Sequence, residues 1–121
     1  MKKIKIIHIL ISKGFAGSEK YLCDLIDYQS KFFDVSVIIL KKNIMLKKYI
    51  NKSVKSFQIA NFFKKIQITK IINKSKPDIV HTHLSNAAKC VNKSNKFKII
   101  ATAHMNFKYS ILKNCDGLIV S

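Results

Sequence analysis

The sequence predicts an α/β fold: a doubly wound, Rossmann-like parallel sheet with helices on both faces. Three observations predict it. Six short apolar runs rich in Ile and Val recur along the 121 residues. Most are nearly continuous rather than alternating, as strands buried on both faces read. The segments between them suit helices, and strand–helix alternation over the full length implies right-handed crossovers. The length fits a single domain, 1–121, and is too short for two.

The first run, "IKIIHILI" (Ile4–Ile11), follows a lysine pair in the manner of a signal peptide. Lys5 and His8 interrupt it and no small-x-small cleavage site follows, so it reads as the first strand. From Ser18 the apolar positions Tyr21, Leu22, Leu25, Ile26 and then Phe32 or Phe33 form one helical stripe. Ser18 is placed as N-cap, and Glu19 sits where the helix dipole favours an acid. "DVSVIIL" (Asp34–Leu40) is the second strand, and Ile44–Ile50 a short helix. "VKSFQIA" (Val54–Ala60) is the third strand. A helix over Phe62–Asn73 follows, capped by Asn61 and stopped near Pro77. "DIVHTH" (Asp78–His83), "FKIIATAH" (Phe97–His104) and "GLIVS" (Gly117–Ser121) are the remaining strands, with helices over Ser85–Val91 and Phe107–Lys113.

The commonest order for such a sheet is 3-2-1-4-5-6, which makes strands one and four neighbours and opens a ligand crevice at their carboxyl ends. Three features converge there: the Gly14–Gly17 loop, His83 and His104.

The formal net charge is +17, and every basic residue is Lys. Specific phosphate and base readers recruit Arg for its bidentate fork, so its absence argues against sequence-specific nucleic-acid binding. Abundant Lys, Ile and Asn also point to an AT-rich coding sequence. Between Asp34 and Asp78 there is no acid, while eleven Lys occur among apolar residues, as in "NFFKKIQITKII". Two readings stay open: a solvated outer face, or a surface that rests on anionic lipid. Cys23, Cys90 and Cys115 are odd in number and widely spaced, which reads as three ordinary thiols in a reducing compartment. No apolar run approaches the roughly 20 residues that span a bilayer.

The loop "GFAGSEK" is neither a dinucleotide fingerprint nor a Walker loop. Leu40-Lys41-Lys42 stands where an acid would hold a ribose, which counts against an NAD site. Two readings remain: a tight strand-to-helix turn, or a backbone grip on phosphate at a helix N-terminus. His81 and His83 share one face of their strand. Only His8 and His104 remain as further imidazoles and no acids cluster nearby, so no metal is expected. His81 is assigned to the interior, and His8 to a structural place in mid-strand.

Five segments in order resemble the N-terminal half of family 4 glycosyltransferases of the GT-B fold. "GFAGSEKYLCDLI" is similar to that family's Gly-Gly-x-Glu opening, and "FFDVSVIIL" to its second strand. "KPDIVHTHLS" resembles its "PDxVHxH" segment, "IIATAH" its Thr-x-His strand end, and "CDGLIVS" its "ADxxIxVS" segment. The resemblance covers Lys3 to Ser121 and implies retaining transfer of a sugar from a nucleotide-sugar to a hydroxyl, without a metal or other cofactor. It implies that Gly17, with Gly14 and Ser18, meets the donor diphosphate. Gly14 is displaced relative to a strict Gly-Gly pair. It implies that His104 lies near the donor sugar, as a hydrogen-bonding and positioning group rather than a nucleophile, and that His83 lines the acceptor cleft.

By the same resemblance the acceptor is a glycan or glycolipid of the cell-envelope polysaccharide or lipopolysaccharide type. The place is the cytoplasm, with a peripheral seat on the inner face of the cytoplasmic membrane. The chain matches only the family's first third or so and stops in the sixth strand. The nucleotide pocket and a Glu-x7-Glu motif belong to a second domain. The expectation is therefore a fragment, one product of a split gene, or one half of a two-chain enzyme with a C-terminal partner, inactive alone. The alternative is a non-catalytic basic module that binds anionic surfaces or phosphate.

Overall fold

The computed structural model describes residues 3–103 and 114–120. Six strands form one parallel sheet: β1 (Lys5–Leu10), β2 (Asp34–Leu40), β3 (Lys55–Ile59), β4 (Ile79–His83), β5 (Lys98–Ala103) and β6 (Gly117–Val120). Their order is β3-β2-β1-β4-β5-β6, and every neighbouring pair is parallel. The doubly wound expectation and its strand order are met. Among the described residues four helices accompany the strands: α1 (Gly17–Gln29), α2 (Ile44–Tyr49), α3 (Lys64–Ser75) and α4 (Leu84–Ala88). The helix expected over Phe107–Lys113 lies outside the described residues.

Because successive strand residues face opposite ways, the Ile-rich runs supply two cores at once. On one face Ile7, Ile9, Ile38, Leu40, Val80 and Ile99 pack with Ile68 and Ile72 of α3 and Ala87 of α4. On the other, Leu10, Val35, Val37 and Ile39 pack with Leu22, Cys23 and Ile26 of α1 and Leu46 of α2. Each fully buried Ile or Leu contributes on the order of 1.5–3 kcal/mol.

The helix ends differ from the sequence reading in three places, each for a local reason. First, α1 starts at Gly17, with Ala16 as N-cap and Ser18 inside the first turn. Glu19, at N3, reaches back to accept from the N–H of the N-cap Ala16 (2.7 Å), the carboxylate half of a capping box. Second, the buried stripe of α1 is Glu19, Leu22, Cys23 and Ile26, which turns Tyr21 away from the core. Third, α3 begins at Lys64 behind a left-handed Phe63 (φ 50°), not behind Asn61. Gln67 folds back onto Ala60, accepting from its N–H (3.1 Å) and donating to its carbonyl (3.2 Å) and to that of Phe62 (2.7 Å). That ties off the entry turn. Lys76 (φ 51°) closes the helix in the left-handed region just before Pro77, where a right-handed residue is disfavoured.

Candidate functional site

The opening loop is held from two sides. Glu19, 5% exposed, accepts from the Ala16 N–H and, through Oε2, from Ser12 Oγ (2.7 Å). Asn43, 1% exposed, donates through Nδ2 to the carbonyls of Ser12 and Gly14 (both 2.9 Å). Its Oδ1 accepts from the Leu46 N–H (3.1 Å), capping α2. Phe15 stacks on Tyr49 with ring centroids 4.7 Å apart. The loop therefore has a fixed shape before any ligand arrives.

Neither glycine is demanded by the chain itself. Both have negative φ, and a Cβ added at Gly14 or Gly17 would meet nothing within 4 Å. What glycine leaves at Gly17 is open backbone at the start of a helix.

That backbone borders a cleft of about 360 Å³ at the carboxyl ends of β1, β4 and β5. Gly17, Ser18 and Tyr21 of α1 line one side; His83, Leu84, Thr102 and Ile119 line the others. The strand order accounts for this, because β1 and β4 part company here, β1 running into α1 and β4 into α4. Leu84 has φ 69°, a left-handed backbone at the cleft wall that costs about 1–3 kcal/mol.

Of the residues singled out in the sequence, Gly17, Ser18 and His83 meet at this cleft. Gly14 is not among its lining residues; its carbonyl is held by Asn43 instead. His104 lies outside the described residues. Tyr21, Leu84, Thr102 and Ile119 were not anticipated as lining. Thr102 was available as the Thr of "IIATAH", whereas Tyr21 had been assigned to the core stripe.

Behind His83 lies a cluster of imidazoles. His8 and His81 are register partners on β1 and β4, and His83 lies one step further along the same face, opposite Leu10. All three are buried: 0%, 4% and 2% exposed respectively. His8 Nδ1 lies 3.0 Å from His83 Nε2, His8 Nε2 lies 2.6 Å from Gln29 Oε1, and His81 Nε2 lies 2.6 Å from Thr102 Oγ1. His81 and His83 stack, with centroids 4.2 Å apart and planes inclined by 16°.

Burial opposes charge on each ring. It holds His8 down at about 4, with the Gln29 hydrogen bond pulling partly back up. Burial first and the neighbouring imidazoles second hold His81 at about 3 and His83 at about 2. All three are neutral at neutral pH. Their ligating nitrogens lie within 4.8 Å of one another, so the fold adds His8 to the His-x-His pair as a set of metal-ligand type. A metal must lie in the plane of each ring that ligates it, and the nearly parallel planes of His81 and His83 do not meet nearby. The rings as placed share hydrogen bonds rather than a common focus.

The Lys-rich stretch is also placed. Lys41, Lys42, Lys47, Lys48 and Lys65 are exposed around the carboxyl ends of β2 and β3. Among them stand exposed Ile44, Met45, Phe62, Phe63 and Ile66, with Ile44 and Phe63 each 72% accessible. This is the same end of the sheet as the cleft. Among the described residues no helix is long and apolar enough to cross a membrane.

Comparison with known proteins agrees with the architecture. The family model described as "Glycosyl transferase 4-like" matches residues 8–114, most of the chain. Neither curated proteins nor solved structures give a match.

Proposed function

Because this chain belongs to the glycosyl transferase 4-like family, we propose that it forms the acceptor-side half of a retaining glycosyltransferase. The enzyme moves a sugar from a nucleotide-sugar to a glycan or glycolipid acceptor of the cell envelope. The observation that carries this is the cleft: the first turn of α1 with an unobstructed Gly17 on one side, and His83 with Thr102 on the other.

The chemistry follows from those parts. As the glycosidic bond to the diphosphate lengthens, negative charge gathers on the leaving phosphate. The first turn of a helix offers backbone N–H groups and roughly half a positive charge to such an anion. The loop is already held by Glu19 and Asn43, so these donors need no rearrangement as charge develops. His83 and Thr102 supply polar contacts for hydroxyls, and Tyr21, Leu84 and Ile119 give the apolar walls that exclude water. His104 is proposed to complete the sugar subsite. The nucleotide is held by a second domain or partner chain that closes on this face. No metal or other cofactor is part of the proposal.

The test uses the chain itself. Inorganic pyrophosphate titrated into ¹⁵N-labelled protein should shift the Gly17 and Ser18 amides, with weak, salt-sensitive affinity. Gly17→Val should abolish those shifts while leaving the remaining spectrum in place. Diffuse shifts over the lysines, indifferent to Gly17→Val, would instead support the basic, non-catalytic module.

The exposed apolar residues among lysines beside the cleft favour one further element: this end of the sheet rests on anionic lipid, from which a glycolipid acceptor would be drawn. Co-sedimentation with vesicles containing phosphatidylglycerol, but not with phosphatidylcholine vesicles, is expected at moderate salt. Equal recovery with both would remove the membrane from the proposal.

A further inference from the structure

We propose that Gln29, acting through His8, fixes the proton on the cleft histidine, so that His83 meets its ligand as a hydrogen-bond acceptor at Nδ1. The position it faces then takes a hydroxyl and not a phosphate oxygen. The identity of that hydroxyl as a sugar's rests on the functional reading above; the proton arrangement does not.

The chain of reasoning starts at the last residue of α1. Gln29 Oε1 can only accept, and it lies 2.6 Å from His8 Nε2, so Nε2 carries the proton. His8 is wholly buried and holds one proton, which leaves its Nδ1 bare. A bare Nδ1 at 3.0 Å from His83 Nε2 must be receiving a proton from it. His83 is also neutral, so with Nε2 protonated its Nδ1 has only a lone pair to offer. Two bonds thus carry a choice made at Gln29 to the wall of the cleft. His81 takes no part in this relay: its Nε2 is engaged with Thr102, and its ring lies against His83 and holds that plane.

The consequence is a division of the cleft. The doubly esterified diphosphate of a nucleotide-sugar has no proton at neutral pH for a bare nitrogen, and its oxygens are repelled by that lone pair. A hydroxyl has one to give. The first turn of α1 has the opposite preference, since backbone N–H groups favour the anion. Sugar and diphosphate are therefore told apart by which wall can donate and which can only accept. Gln29 is a positioning residue here, with no contact to the ligand.

The deciding measurement is the tautomer state of each ring, read from long-range ¹H–¹⁵N correlation spectra of the labelled chain at pH 7.5. His8 and His83 should each be a single tautomer protonated at Nε2. Gln29→Glu keeps an acceptor in place and should preserve that pattern. Gln29→Leu removes it and should turn both rings into tautomer mixtures, with the backbone spectrum otherwise retained. If Gln29→Leu does not fold, the wild type and Gln29→Glu still decide the matter. His83 protonated at Nδ1 in the wild type would overturn the proposal, because the relay would then run the other way. So would a pattern in Gln29→Leu identical to the wild type's. Dimethyl pyrophosphate esterified once on each phosphorus, which like a nucleotide-sugar has no P–OH at that pH, separates this from the functional reading. It should move the Gly17 and Ser18 amides and leave the His83 ring nitrogens unchanged. A His83 nitrogen shifted by this diester sinks the division of the cleft. Absence of any amide shift sinks the phosphate site and leaves the tautomers as evidence on their own.

Discussion

The two faces of the sheet are built from the same strands and to different ends. On the α3–α4 face the inward residues are almost all aliphatic, interrupted by the hydroxyls of Ser36 and Thr82. The α1 face is equally aliphatic under β2, with Val35, Val37 and Ile39, but at the β1–β4 junction it becomes His8, His81 and His83, with Thr102 beyond. One face is a core alone. The other exchanges part of its core for a hydrogen-bonded set of neutral rings that reaches the cleft. The exchange costs stability that is returned only while those rings stay neutral, so the two faces should respond to different perturbations.

Acid should separate them most. The folded-state pKa values of the three histidines are lowered to about 4, 3 and 2 from an ordinary 6.5. Below pH 6.5 the unfolded chain takes up protons that the folded chain refuses, so stability falls as pH falls and is level above about 7. Between pH 7.5 and 5 the loss is about 2 kcal/mol for each histidine. Urea midpoints at the two pH values measure it, and His8→Phe should reduce the pH dependence. A midpoint that is level down to pH 5 would mean the rings are not buried neutral.

Next in size is a wound to the aliphatic face. Ile9→Ala removes a fully buried side chain between β1 and α3 and should cost about 2–5 kcal/mol. Its cost should be the same at pH 7.5 and 5, since the buried titratable groups described on that face, Cys90 and Cys115, have thiols that burial pushes up and that stay protonated across that range. A cost that changes with pH would show the faces to be coupled. The smallest of the three effects belongs to the loop. Asn43→Ala removes the α2 cap and the bonds to Ser12 and Gly14, for about 1–3 kcal/mol by chemical denaturation. It should weaken pyrophosphate binding more than its stability cost suggests, because the loop loses its fixed shape. Unchanged affinity would show that α1 alone sets the site.

Much of this arrangement is legible in the residues. Continuous Ile and Val runs gave a parallel sheet, and the sheet's order placed Gly17, Ser18 and His83 at one crevice. The helix starts were harder, because side chains three to seven residues away decided them: Glu19 caps Ala16, and Gln67 ties off the turn before α3. His8 was readable as a mid-strand histidine, and its partnership with His81 follows from register once β1 and β4 are neighbours. Gln29 was not readable, since the last residue of an amphipathic helix carries no local sign of reaching a strand. Asn43 was missed for the same reason: its three acceptors lie 29 and 31 residues upstream, in a loop whose path is set by the tertiary fold.

Asn43 also makes a mechanical statement. One buried amide grips the backbone of the opening loop with its nitrogen and the first turn of α2 with its oxygen, and the Phe15–Tyr49 stack rivets the same two pieces together. Loop and helix therefore travel as one lever. Whatever presses on the exposed side of α2, at Ile44 and Met45, is felt directly at the carbonyls of Ser12 and Gly14, a few residues from the cleft.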